Sequence, residues 1–293
     1  DDTAFTVTDL DNDALLPNGE TIDTVSVISR GGHDASTTSS AVTYADDLEV
    51  TAVATSSGGF DLNNYSIDFS NLADFVINRR AVTLTALQQE KDYGDVHTLD
   101  TTTFSVTDLD NDALLPNEET VDTVTLVSAA GIDASTDSDV GTYNDNISIT
   151  PTSTATPTLA GSNGFDQENY VFSYNTGDFV INQRAITLTA SQQEKIYGDV
   201  LNLDDTAFTT LDRDGGVTLP NDELVTNVTI NSVTGVDAST TADVSTYTDE
   251  IVISGPVAGL QGMGDGFLES NYDITYVSGD LTVNKRALSL TAL

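Results

Sequence analysis

Along much of this chain hydrophobic residues return at every second position. Tyr65, Ile67 and Phe69 share one face of an extended segment. Tyr170, Phe172 and Tyr174 do the same, as do Tyr272, Ile274 and Tyr276. A period of two marks a β-strand with one buried face. Further strands are predicted at DTVTLVS (122–128), NISIT (146–150), GDFVIN (177–182) and AITLTA (185–190). The turn sequences NTGD (175–178) and VSGD (277–280) punctuate them. No segment of helical length has helical spacing. The aromatic stripes are expected to line the inside of β-sandwiches rather than a sugar-binding face.

The pattern itself repeats. TAFTVTDLDNDALLPN (3–18) returns as TTFSVTDLDNDALLPN (102–117), and more loosely as TAFTTLDRDGGVTLPN (206–221). DAST occurs at 34–37, 133–136 and 237–240. GFDLNNY (59–65), GFDQENY (164–170) and GFLESNY (266–272) correspond, as do NRRAVTLTA (78–86), NQRAITLTA (182–190) and NKRALSLTA (284–292). A period of about 100 residues is too long for a solenoid and fits one immunoglobulin-like sandwich. The expected architecture is all-β: three tandem Ig-like β-sandwich repeats forming an elongated rod. The repeats would span 1–80, 81–184 and 185–286, with 287–293 opening a further one. An alternative phase is 1–98, 99–203 and 204–293.

In the first phase, the first repeat has no counterpart of AVTLTALQQEKDYGD (81–95), while ALSLTAL (287–293) is a spare leading strand. A spare strand at one end could complete a neighbouring molecule head to tail by strand addition. The partners expected are therefore neighbouring repeats of the same polypeptide and, by that strand, another copy of the chain. No glycine or serine separates the last strand of one repeat from the first of the next, so the linkers should be short and stiff. Arg79, Arg80, Lys91, Arg184, Lys195, Lys285 and Arg286 cluster near these seams. They are expected to neutralise the acidic ends of adjoining repeats.

Charge sharpens the picture. Nine Lys and Arg stand against 47 Asp and Glu, a formal net charge of −38. Nucleic acid and anionic membranes would repel such a chain. No apolar run approaches the roughly 20 residues of a membrane span, so direct membrane insertion is not expected. With no cysteine, disulfides contribute nothing. His33 and His97 are the two histidines; their counterparts are aliphatic (Ile132 and Val236, and Leu201). A general base has no reason to be exchanged for an aliphatic residue. Without a thiol, a nucleophile motif or a phosphate loop, no enzyme is expected.

One motif invites a metal. Asp9, Asp11 and Asp13 alternate, and Glu20 stands twelfth from Asp9, as in an EF-hand. Asp108, Asp110, Asp112 and Glu119 repeat that spacing; the third copy keeps Asp212, Asp214 and Glu223. Dense carboxylates suit calcium, but Ala14 and Ala113 stand where an EF-hand needs glycine, and no helix flanks the loop. The alternative is a solvated acidic turn. Asp46 and Asp47, Asp145, and Asp249 with Glu250 are further candidates, each after a Thr-Tyr pair and able to face a seam.

QQEKDYGD (88–95) and QQEKIYGD (192–199) resemble the MBG family of bacterial Ig-like repeats, whose hallmark is a Tyr-Gly dipeptide. Lys91, Tyr93 and Gly94 match it, as do Lys195, Tyr197 and Gly198. The Asn-Tyr pair, Gly-Asp turn and last strand of NYDITYVSGDLTVNKR (271–286) match as well. The resemblance covers all three repeats, although the first has no Tyr-Gly segment. It implies an extracellular setting, secreted or on a bacterial cell surface, and a stalk role in an adhesin. It implies no catalytic residues. The acidity departs from a typical member and looks more like the extender regions of giant calcium-dependent adhesins of marine bacteria. The rival reading is a carbohydrate- or protein-binding adhesion module acting through exposed loops such as AGSNGFDQEN (160–169).

Overall fold

A computed structural model describes residues 2–8, 16–69, 71–110, 115–150, 159–253 and 267–291. The chain is all-β, with nineteen strands and seven single-turn 3-10 segments among the described residues. In order the strands are β1 (Thr21–Ser29), β2 (Thr43–Ser57), β3 (Leu72–Val76), β4 (Arg80–Ala86), β5 (Gln89–Asp92), β6 (Phe104–Asp108), β7 (Thr120–Thr123), β8 (Leu126–Ser128), β9 (Gly141–Ile149) and β10 (Ala160–Ser162). They continue as β11 (Tyr170–Asn175), β12 (Gly177–Asn182), β13 (Arg184–Ala190), β14 (Gln193–Ile196), β15 (Phe208–Asp212), β16 (Ile230–Ser232), β17 (Thr246–Ile253), β18 (Tyr272–Val277) and β19 (Gly279–Asn284).

Two compact units emerge: Asp1–Thr85 with Phe104–Thr125 and Pro151–Asn175, and Ala86–Thr103 with Leu126–Thr150 and Thr176–Leu293. Neither set of sequence boundaries coincides with this division. The first unit holds the sheets β1-β2-β3, β10-β7 and β11-β4-β6. The second holds β5-β12-β9-β8, β15-β13-β18 and β14-β19-β17-β16.

Alternation in sequence becomes alternation in burial. RAITLTA in β13 reads buried at Arg184, Ile186, Leu188 and Ala190 and partly or fully exposed between them. Its β-branched and leucine side chains suit a pleated, half-buried surface. In the third sequence copy, Leu188 and Ala190 pack with Ile251, Ile253, Leu281 and Val283 into one core, capped by Val228 and Val236. Ile274 and Tyr276 of the aromatic stripe lie against that core, so there the stripe serves packing. Removing a leucine such as Leu188 from such a site costs about 2–5 kcal/mol.

The second and third copies share one strand scheme. β4 pairs parallel with β11, with Arg80 opposite Tyr170; β13 pairs parallel with β18, with Arg184 opposite Tyr272. The first copy differs. Residues 65–69, expected as a strand, alternate between half-buried and exposed but form none. Among the described residues no counterpart of β4 pairs with them, so they join no sheet ladder. The predicted strand 122–128 is also broken, into β7 and β8.

Candidate functional site

The chemistry-bearing residues gather where the second copy meets the third, within the second unit. Tyr93 and Gly94 form the tip of a turn after β5. Gly94 has φ +84°, and a Cβ there would lie 2.3 Å from Pro220 Cγ. Only glycine gives both the left-handed backbone and the close approach. The approach seats Tyr93, which is 2% exposed, against the third copy. Its hydroxyl donates to Glu223, and Tyr272 donates to the other oxygen of the same carboxylate at 2.7 Å. The two rings meet edge to face, with centroids 5.5 Å apart, a favoured aromatic geometry. Glu223 is only 1% exposed, so both hydroxyls compensate the cost of burying its charge.

Arg184 closes the other side. Nε and a terminal nitrogen grip Asp212 at 2.6 and 2.7 Å, a planar fork on a carboxylate. The same side chain reaches Asp214 at 2.6 Å, Asp95 at 2.8 Å and the Tyr93 carbonyl at 3.3 Å. The guanidinium holds the Asp212 carboxyl below its ordinary value. Arg213 pairs with Asp92 and Asp95, tying the same two copies. Two asparagines complete the joint. Asn221, left-handed at φ 56°, donates to the Thr136 carbonyl at 2.8 Å. Asn271 accepts from Val140 N–H and donates to Asp139, each at 3.0 Å.

The first unit shows the corresponding contacts between the first and second copies. Asn117 donates to the Thr37 carbonyl at 2.6 Å, and Asn169 accepts from Ala41 N–H at 2.8 Å. Arg80 binds Asp108 and Asp110, Tyr170 donates to Glu119 at 2.8 Å, and Arg79 pairs with Glu168 at 2.7 Å. At the far end, Arg286 donates to the Tyr197 carbonyl at 2.7 Å and pairs with Asp199. Lys285 is exposed.

The acids proposed from sequence as one calcium set thus have two kinds of protein partner. Asp108, Asp110, Asp212 and Asp214 face arginine; Glu20, Glu119 and Glu223 accept tyrosine hydroxyls. Asp9, Asp11, Asp13 and Asp112 lie outside the described residues. Among the described residues no three His, Cys, Asp or Glu side chains converge as a metal-ligand group. In the second candidate set Asp47 and Glu250 are buried, while Asp46, Asp145 and Asp249 are exposed. Asp46, Asp145 and Asp249 take left-handed φ near 54–55° inside β2, β9 and β17, where the pairing register slips. Each backbone N–H there donates to an aspartate of the neighbouring strand: Asp74, Asp178 or Asp280. These are β-bulges, which single Asp residues tolerate. Asp47 and Glu250 beside them accept from Ser29 and Ser232.

Two of the expected seam cations also do something else. Lys91 donates to the carbonyls of Ile132, Asp133 and Ser135, and Lys195 to those of Val236, Asp237 and Ser239. Each ammonium, about 93% buried by its residue, caps the DAST loop of its own copy. Three donors facing three converging carbonyls satisfy a buried lysine without a counter-ion. His33 stacks on Tyr44, and His97 bonds Gln89 and lies near Phe179.

Sequence reasoning missed the tyrosines. Their hydroxyl partners lie 45 to 130 positions away, beyond any local spacing rule. The recurrence of Tyr-Gly and Asn-Tyr was the visible signal. No protein-family model matches this chain, and no curated protein matches it. Among the described residues no helix is long and apolar enough to cross a membrane.

Proposed function

We propose that this chain is a spacer segment of a bacterial adhesin, secreted or on the cell surface. Three tandem Ig-like sandwich modules of the MBG type hold a distal binding domain away from the cell. One observation carries the reading: the same asparagine contacts recur where each copy meets the next, Asn117 with Thr37 and Asn169 with Ala41, then Asn221 with Thr136 and Asn271 with Val140. Neighbouring domains move freely unless their interface is substantial, and a spacer needs joints that do not. The buried Tyr93–Glu223–Tyr272 triad and the Arg184 clamp supply such a joint. A further support for the Ig-like assignment is that Tyr44, Tyr143 and Tyr247 each donate to the backbone carbonyl four residues upstream, a bond of the tyrosine-corner type. On this reading arginine, rather than calcium, neutralises Asp108, Asp110, Asp212 and Asp214.

The test is to insert one and then two further copies of residues 185–286 and measure maximum dimension by small-angle scattering. The expected result is an equal increment per copy. Increments that shrink with copy number would overturn the reading. A glycan array tests the rival module, for which loop 160–169 offers little: Phe165 is half-buried and stacks on Tyr170.

A further inference from the structure

We infer that the third copy is built to bear tension along the chain. Its entry strands (β13 and β14) and its exit strands (β18 and β19) run parallel in one register, so a pull on the copy shears the whole ladder at once. The inference goes beyond the spacer reading, which needs stiff joints but no resistance to load.

β13 pairs parallel with β18, from Arg184 opposite Tyr272 to Thr189 opposite Val277. β14 pairs parallel with β19, from Gln193 opposite Leu281 to Ile196 opposite Asn284. The offset between partners is the same in both pairs, so the two paths change sheets together without slipping. Each pair is also anchored from outside: β13 pairs with β15, and β19 with β17. The second copy repeats the arrangement. Arg80 to Thr85 lie opposite Tyr170 to Asn175, and Gln89 to Asp92 opposite Phe179 to Asn182. Load enters the third copy at Arg184 and leaves after Asn284, at opposite ends of the paired strands. The bonds of a parallel ladder are evenly spaced. Pulled from opposite ends they resist together; pulled from one end they break one after another.

Between Thr189 and Gln193 the ladder is interrupted, and there the two backbones touch instead. A Cβ on Gly279 would lie 2.4 Å from the Ala190 carbonyl oxygen and 3.1 Å from that of Ser191. In the second copy a Cβ on Gly177 would lie 2.5 Å from the Ala86 oxygen and 3.0 Å from that of Leu87. Glycine at this crossing lets the exit backbone lie directly against the entry backbone. Side chains add rungs across the same pair. Gln183 donates to the Tyr272 carbonyl at 3.1 Å, Gln192 to the Thr282 hydroxyl at 3.0 Å, and Asn284 to Glu194 at 2.7 Å. Forced unfolding is governed by the unfolding rate, and a step that must break every rung together is slow.

The chain has no cysteine, so pairs of introduced cysteines define where force is applied to the full-length protein. Gln183→Cys with Lys285→Cys pulls the strands from opposite ends. Ile196→Cys with Lys285→Cys pulls them from the same end. All three positions are exposed. In single-molecule force spectroscopy at one loading rate, the first geometry should need at least about twice the peak force of the second, because its ladder bonds break together. Equal forces would overturn the clamp. Gly279→Ala should remove most of that excess and leave the second geometry unchanged, since peeling parts β14 from β19 before it reaches residue 279. A fall of the same size in both geometries would overturn the part given to the crossing. Equal forces in a chain that lengthens evenly with inserted copies would sink the clamp and leave the spacer reading standing. A directional difference in a chain whose increments shrink would do the reverse.

Discussion

Tyr93 carries a titration that reports on the joint. Burial first, and then its bond to Glu223, push its phenol from 10 up to about 12. A folded value above the unfolded one means that the folded state holds the proton longer. The stabilisation is therefore complete below about pH 10 and is lost as pH rises through about 12. Stability should fall over that window, and Tyr93→Phe should flatten the fall; chemical denaturation across the alkaline range would check it. Arg184 works at the opposite end. Its bond to Asp212 keeps that carboxyl below the usual 3.8, so the pair stabilises fully above that value and is lost as pH falls below it. Arg184 and Asp212 are both nearly buried. Arg184→Gln should cost about 3 kcal/mol, because it leaves a buried carboxylate unpaired. The same change takes the guanidinium away from Asp95, Asp212 and Asp214 and leaves only Arg213 beside Asp95 and Asp214. Arg184→Gln should acquire a calcium-dependent rise in Tm that the unaltered chain lacks, and calorimetry with and without chelator would show whether it does.

At the scale of elements, the Tyr-Gly turn is the part that joins one copy to the next. Gly94→Val would place a branched side chain where even a Cβ meets Pro220 at 2.3 Å, on a backbone with φ +84° that disfavours it by about 1–2 kcal/mol. Hydrogen exchange should quicken around residues 92–95 and 220–223, while protection in β17 and β19 persists, because their core lies inside the third copy. Unchanged protection at the turn would count against the joint. The element scale also shows how legibility varied. GDFVIN and AITLTA were readable because period two within one segment is a local property, and β12 and β13 lie where it put them. The segment 65–69 has the same pattern and forms no strand, because pairing needs a neighbour that periodicity does not supply. The bulges at Asp46, Asp145 and Asp249 were invisible as bulges: an exposed acidic residue after Thr-Tyr looks the same in a regular strand as where it turns one.

For the molecule as a whole, the charge of −38 opposes compaction, and salt relieves it over a Debye length of about 8–10 Å. The nine cations are too few to neutralise it, and the structure spends most of them locally. Raising sodium chloride from low ionic strength to about 0.15 M should raise Tm, with calcium chloride at matched ionic strength doing no more. A calcium-specific increment would return the acidic loops, including Asp9, Asp11, Asp13 and Asp112, to consideration as metal ligands.

Sequence alone determined the β class, the threefold repetition and the aromatic stripe of the third copy as a packing face. These follow from composition, period and spacing, which are properties of the chain before it folds. Tertiary structure decided the partners. It gave Arg184 to Asp212 and Asp214, the Glu223 carboxylate to two tyrosines of different copies, and Lys91 and Lys195 to loop carbonyls of their own copies. A carboxylate in a sequence carries its charge but no direction, and only the packed backbone determines which cation, hydroxyl or amide comes within hydrogen-bond reach.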